Sequence, residues 1–313
     1  MQNGTANESI ANSQQPIADS QEPIANSRLV AVLVCPDCRK PLAPQASSLV
    51  CRACGAAFPV QDGVPKLWPP SRRLKIEATL AAFRHPHQGA RASAFLRALL
   101  PPDPICDPGA RKRTARVQQA MATGLVLNLG SKDVHWGAHV INIDLALPAN
   151  SQQPIANSSL VLADIHRLPF ADASVDGVIC TNVLEHVADA HACLDEIARV
   201  VKPGGHVYVS VPFLFPMHPD PLDRWRWTLD GLRHALRGFD ELEAGVCGGP
   251  FSAFVAVTPT LVASLFSGFY LFNAVRCALG WLLWPVKWLD FIAHRSARAH
   301  VAAAACYFLG KRR

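Results

Sequence analysis

The sequence predicts a doubly wound α/β domain built on a parallel sheet, with a small zinc ribbon ahead of it and an apolar helical insert near its end. Three observations carry this expectation. Short apolar runs alternate with amphipathic stretches from Ala122 onward. Two C-x-x-C pairs stand upstream of them. A stretch without a single charge, Phe251–Val275, interrupts the last third of the chain. A length of 313 residues accommodates one full α/β domain and a small accessory module.

Residues 1–27 are of low complexity. Ala11–Ile17 reads ANSQQPI, Ala18–Ile24 reads ADSQEPI, and ANSQQPI returns at Ala149–Ile155. Each isoleucine follows a proline, which breaks a helix at every repeat. These stretches therefore read as a disordered segment and as a surface-loop insertion at 149–158.

Residues 28–70 form the ribbon. Cys35 and Cys38 make one knuckle, Cys51 and Cys54 the other, with twelve residues between them. Four thiolates so spaced can close a tetrahedral site with no open position, a structural rather than a catalytic zinc. The remaining six cysteines of the ten are scattered singly, the pattern of reduced core thiols in a reducing compartment. The N-terminus lacks a basic segment followed by an apolar one, so a cytoplasmic location is expected. Residues 71–121 are a basic, partly helical connector, broken at Pro101–Pro104. Ser71–Ala120 holds ten Lys or Arg against Glu77, Asp103 and Asp107 within a net charge of +6. Such a patch suits a phosphate-bearing partner, and a solvated face accounts for it equally well.

Residues 122–313 form the main domain. Strands are expected at Gly124–Leu129, His139–Asp144, Ser159–Asp164, Ser174–Thr181 and Gly205–Val211. Leu194, Ile197, Ala198 and Val201 make one helical stripe, with Asp189 as N-cap and Pro203-Gly204-Gly205 as the stop. Ligands of a doubly wound sheet bind at the carboxyl ends of its strands. Gly130 ends the first strand and lets backbone approach a ligand. Asp144 ends the second, where an acid can accept both hydroxyls of a ribose. Asp164 ends the third and can take an adenine amino group, with Ile165 packing on the ring. Asn182 ends the fourth.

Two resemblances follow from these residues. LVCPDCRKPL and LVCRACGAAFPVQDGVPKLW, between Leu33 and Trp68, resemble the Trm112-like family, small zinc proteins that partner methyltransferases. The Asp164-to-Phe170 turn, SVDGVI at Ser174–Ile179, LEHV at Leu184–Val187 and KPGG at Lys202–Gly205 resemble the methyltransferase type 11 family. That resemblance implies a seven-stranded Rossmann-like methyltransferase sheet, S-adenosyl-L-methionine as cofactor, and a methyl transfer in which the enzyme mainly aligns the reactants. It also implies that Glu185 and His186 shape the pocket. One departure stands out. The family's first loop carries two or three glycines, whereas this chain reads Gly130-Ser-Lys-Asp133, only fourteen positions before Asp144. Lys132 is expected to crowd the methionine end.

The segment after the fifth strand holds His218, Asp223, Arg224, Trp225, Arg226 and Trp227, at the edge where an acceptor enters. His218 and Asp223 are the candidate catalytic residues, His218 as general base. Indoles and arginines there suit a sugar or a phosphate, and indoles equally serve as packing anchors. The segment resembles methyltransferases of cell-surface glycan and glycolipid gene clusters. Phe239–Cys247 and His300–Gly310 are expected as strands six and seven. The apolar insert 251–293 must then leave and return on one side of a membrane, as a shallow hairpin or interfacial helices. Trp281, Trp284, Trp288, Arg276 and Lys287 would lie near headgroups. A cap over the core or an oligomer interface would also cover this apolar surface.

The leading expectation is methyl transfer to an oxygen of a glycan or lipid-linked acceptor at the cytoplasmic membrane face. A tRNA or rRNA methyltransferase accounts for the ribbon and the basic connector but not for the uncharged insert, so nucleic acid ranks below. A degenerate, non-catalytic membrane-associated protein is the third reading.

Overall fold

The computed structural model describes residues 27–84, 100–130, 136, 137, 139–146, 160–218 and 222–313. The expectations for the repeat segment, the 149–158 insertion, Lys132, and the connector between 85 and 99 lie outside the described residues.

Four short strands open the chain: β1 (Leu42–Gln45), β2 (Ser48–Cys51), β3 (Ala57–Gln61) and β4 (Val64–Leu67), successive neighbours pairing antiparallel. They follow a single helical turn, α1 (Ser27–Val32). The connector supplies α2 (Arg73–Arg84) and α3 (Ala110–Ala120), and residues 101–107 between them are non-helical, as the prolines dictate.

The main sheet contains β5 (Val126–Leu129), β6 (Val140–Asp144), β7 (Leu160–Ala163), β8 (Val175–Thr181), β9 (Val201–Pro212), β10 (Phe239–Gly248) and β11 (Ala305–Arg312). The order is β7-β6-β5-β8-β9-β11-β10. The first five are mutually parallel, and β11 runs antiparallel between β9 and β10. β5, β6 and β7 are buried almost throughout, as both faces of a parallel sheet require. The order reverses at β5, so the β5 and β8 carboxyl ends flank the switch point.

The main domain has the seven strands expected, and the four ribbon strands extend the sheet to eleven. β4 pairs parallel with β7 through Lys66↔Leu162 and Leu67↔Ala163, so the ribbon continues the main sheet across its edge. Pairing of that kind satisfies an edge that would otherwise present unpaired N–H and C=O groups. Further contacts hold the ribbon. Val34 N donates to Pro169 O at 3.0 Å, and Ala171 N to Val32 O at 2.9 Å. Arg39 makes a two-pronged ion pair with the buried Glu196, whose carboxylate also accepts from Arg199 and from Leu168 N. Leu33, Leu49, Phe58 and Leu67 share one core with Leu129, Phe170 and Leu184.

The stripe helix, α4, spans Ala190–Val200, with the Asp189 carboxylate accepting from Ala192 N at 3.0 Å as an N-cap. The expected turn at Pro203-Gly204-Gly205 is instead a bulge inside β9. Register jumps from Val175↔Val201 to Gly177↔His206, and Gly204 takes φ +80°. Three extra residues on one strand need a left-handed position, which glycine supplies at low cost. A short helix, α5 (Leu229–Ala235), capped by Thr228, leads into β10.

β10 and β11 form the expected antiparallel pair, with β11 starting at Ala305 rather than at His300. Between them lie α6 (Pro250–Ala263), α7 (Phe269–Leu283), a 3-10 run at Trp284–Leu289, and α8 (Asp290–Ala293). The base of this insert is part of the core. Asp290 is fully buried and accepts from Phe251 N, Ser252 N and Ser252 Oγ at 2.7–3.0 Å. Lys287 is buried too, its ammonium donating to Asp103 O at 2.5 Å beside the Trp284 and Trp288 rings. This corrects the headgroup-facing role expected for Lys287: its charge is spent on the body of the protein.

Candidate functional site

The four ribbon cysteines converge. Cys35 Sγ lies 3.7 Å from Cys54 Sγ and Cys38 Sγ 3.4 Å from Cys51 Sγ, with all four sulfurs within 4.8 Å of one another and no disulfide among them. A Zn–S length of ~2.3 Å gives a tetrahedral S···S edge of ~3.8 Å, so the cluster fits the ion. The two knuckles repeat one local geometry. Arg39 N donates to Cys35 O and Gly55 N to Cys51 O, each at 2.8 Å. The residue closing each turn has positive φ, +59° at Arg39 and +75° at Gly55.

The carboxyl edge of the main sheet gathers the residues expected to hold a cofactor. Gly130 ends β5 with φ +64°, and a Cβ there would collide with Val183. Both the backbone angle and the neighbour demand glycine. Asp144 ends β6, where its Oδ1 accepts from Leu145 N at 2.7 Å and Ala146 N at 3.4 Å. Asn182 follows β8, exposed and at φ +52°. Ile165 opens a single 3-10 turn and packs, half-buried, against the core.

Asp164 sits at the end of β7, buried to 4 % exposure. Its Oδ2 accepts from Arg72 Nε at 2.6 Å, and its Oδ1 from His166 N at 3.0 Å and His166 Nδ1 at 2.6 Å. Burial alone would raise its pKa. The His166 and Arg72 bonds outweigh that and hold it at about 2. Both oxygens are thus taken by protein donors, and an adenine amino group would have to share one of them. Arg72 comes from the connector, 92 positions away, and no sequence signal pointed to it.

The acceptor loop is tied down from several directions. Arg226 reaches both oxygens of Asp223, whose side chain is almost wholly buried. That fork, with the His218 N–H at 2.8 Å, overcomes burial and depresses the Asp223 pKa to about 2. His218 Nδ1 lies 3.2 Å from Pro216 O and 3.3 Å from Asp223 Oδ2. Asp223 is therefore placed to orient His218 rather than to exchange a proton. The indoles behave as anchors: Trp225 Nε1 donates to Val187 O at 3.0 Å, and Trp227 is buried in the core. Glu185 is fully buried beneath the loop, and its carbonyl accepts from Arg224 N and Trp225 N. His186 Nδ1 lies 2.7 Å from Leu222 O.

With this geometry in view, the comparisons are specific. Residues 120–209 match the methyltransferase domain family, and residues 26–63 match the Trm112p-like protein family. The chain thus combines an α/β fold, in which residues 120–209 are similar to the methyltransferase domain family, with a Trm112-like N-terminal region that carries the cysteine cluster. The chain is 40% identical over 78 residues to the biotin biosynthesis bifunctional protein BioHC of Cellvibrio japonicus, covering 24% of this chain and 15% of that protein. It is 36% identical over 106 residues to the malonyl-[acyl-carrier protein] O-methyltransferase of Yersinia pestis, covering 32% and 39%. The matched part spans well under half of either relative. Among solved structures, the Haloferax volcanii Trm112 methyltransferase activator complex is similar at 20% identity and a TM-score of 0.37, covering 66% of this chain and 99% of that one. A Burkholderia thailandensis 1,6-didemethyltoxoflavin-N1-methyltransferase is similar at 14% identity and a TM-score of 0.43, covering 82% and 95%.

Proposed function

We propose that this chain is an S-adenosyl-L-methionine-dependent methyltransferase that methylates an oxygen of a glycan or lipid-linked acceptor at the cytoplasmic face of a membrane. Bound at the β5–β8 edge, the cofactor would supply an electrophilic methyl group. In this reading Asp144, at the end of β6, takes the ribose and Asp164, at the end of β7, takes the adenine amino group by sharing an oxygen already bonded to His166 or Arg72, with Gly130 allowing close approach. The chain's own task is alignment and exclusion of water, with His218 on the acceptor side as the candidate proton acceptor. A zinc held by Cys35, Cys38, Cys51 and Cys54 would be structural, and β4 of that ribbon pairs with the sheet edge that ends at Asp164.

One observation supports the membrane. The insert presents large apolar side chains to solvent, among them Leu265 at 80 %, Tyr270 at 87 % and Leu282 at 71 % exposure. Phe269–Ala293 is long and apolar enough to cross a bilayer, the one such helix among the described residues. Its last turns, however, carry the buried Lys287 and Asp290 and belong to the body. The remaining α7 measures roughly 22 Å at ~1.5 Å per residue, short of a ~30 Å hydrocarbon core. Docking within the interface fits better than crossing. The test is liposome flotation of the full chain against a Leu265→Ser, Tyr270→Ser, Leu282→Ser variant. Flotation that survives high salt and is lost in the variant supports the reading. A protein that stays monodisperse without detergent and ignores liposomes overturns it and brings RNA methylation forward.

A further inference from the structure

We infer that Glu185, His186 and His218 form a second cation site, built of nitrogen and oxygen donors and suited to a divalent transition metal. The fully buried Glu185 places Oε1 3.8 Å from His186 Nε2 and 3.7 Å from His218 Nε2. One ligand atom from each of the three residues falls within 4.8 Å of the others. At metal–ligand lengths of ~2.1 Å a tetrahedral edge is ~3.4 Å, so the two edges to Glu185 lie within a few tenths of an ångström of closure, and the edge between the histidines would draw in from no more than 4.8 Å.

The surroundings are those of metal-binding histidines. His186 directs Nδ1 at Leu222 O at 2.7 Å, and His218 directs Nδ1 at Pro216 O at 3.2 Å, with Asp223 alongside. A ring that donates from Nδ1 keeps its lone pair on Nε2, which in both rings is the atom turned toward Glu185. The rings stand edge to face, 5.2 Å apart, and both Nε2 atoms lie within 3.8 Å of the same Glu185 oxygen. Arg226 holds Asp223, and Asp223 holds His218. Two imidazoles and one carboxylate match the donor set of open zinc and iron(II) sites, which leave positions for water or substrate. The ribbon is the opposite case, four thiolates with no vacancy. His218 keeps 36 % of its side chain exposed, so the open positions face the acceptor side. A cation there would bind an acceptor oxygen and favour its deprotonated form, replacing His218 as the proton acceptor, because the Nε2 lone pair would then be committed to the ion. That role rests on the methyl-transfer reading; the existence of the site does not.

The test counts metal in the full-length protein. After dialysis against zinc, the wild type should hold two equivalents, and a Glu185→Gln, His218→Ala variant one. The single His218→Ala variant alters only a half-exposed loop residue, so its fold should survive, checked by an unchanged thermal melt. It should weaken the second site by at least ~10-fold in zinc or manganese titration, and Asp223→Asn, which removes the carboxylate that orients His218 along with its ion pair to Arg226, by ~10-fold. A wild type that takes up a single zinc, or variants that bind two with wild-type affinity, overturns the site. Two equivalents bound without any effect of the metal on methylation keeps the site and removes only its proposed role.

Discussion

Asp164 provides a quantitative test of how the connector and the sheet edge are coupled. Its carboxyl is held at about 2 by His166 and Arg72 against its burial, where an unfolded chain would give ~3.9. A depressed carboxylate contributes stability that is complete above the unfolded value and lost as pH falls through the folded one. The difference of nearly two units corresponds to about 2–3 kcal/mol, present at pH 6, roughly halved near pH 3 and nearly gone by pH 2. Asp164→Asn removes this increment. Urea unfolding at pH 6 and pH 3 should therefore show the variant less stable by ~2 kcal/mol at the higher pH, with the gap narrowing to ~1 kcal/mol or less at the lower. Arg72→Ala should recover part of the same effect. Parallel losses in wild type and variant, with a constant gap, would refute the assignment of the pair as a stabilising element.

Other outcomes follow from the same structure. The Cys51→Ala, Cys54→Ala variant should lose the ribbon zinc almost completely by metal analysis, and with it the β4–β7 edge, read as faster hydrogen exchange at Leu162 and Ala163. Asp290→Ala should cost ~3 kcal/mol or more in denaturant unfolding, because it leaves the backbone donors of Phe251 and Ser252 without their acceptor and takes the shorter of its two acceptors from the Ser252 hydroxyl. His218→Ala should lower the methylation rate by ~10²-fold or more while leaving cofactor affinity unchanged in calorimetry, since its contacts lie on the acceptor side.

The legible parts of this chain are those set by local chemistry. The apolar runs appear as β5 to β9 within a few residues of the expected bounds, and Asp189 caps α4 as its spacing implied. The cysteine pairs meet because knuckle geometry is written in four consecutive residues. What the sequence does not display is long-range pairing. Nothing in Lys66-Leu67 announces that it joins β7, since edge pairing uses backbone atoms that every residue has. Arg72 and Asp164 find each other across 92 positions, and Asp103 receives Lys287 across 184. A lysine beside tryptophans looks like an interfacial anchor in sequence. Only the packed insert shows that it turns inward.

The bulge at Gly204 has the same origin. Lys-Pro-Gly-Gly promises a sharp turn, and whether that turn ends a strand or kinks one is decided by the register of β8 beside it. The insert likewise divides into two parts that composition cannot separate. Asp290 ties α8 to the start of α6, and Ser252 and Lys287 tie that base to the connector at Cys106 and Asp103, while Leu265, Tyr270 and Leu282 remain outside. Removal of the whole insert would therefore expose the core, and point changes on its outer face are the informative perturbation.

The central claim is that the β5–β8 edge binds S-adenosyl-L-methionine, even though the first loop departs from the glycine-rich pattern. Isothermal titration of the zinc-loaded full-length protein with S-adenosyl-L-methionine tests it most directly. The account predicts saturable one-to-one binding, weakened by ~1.5–3 kcal/mol in Asp144→Ala. An absence of binding heat and of competition by S-adenosylhomocysteine in the folded wild type would contradict it.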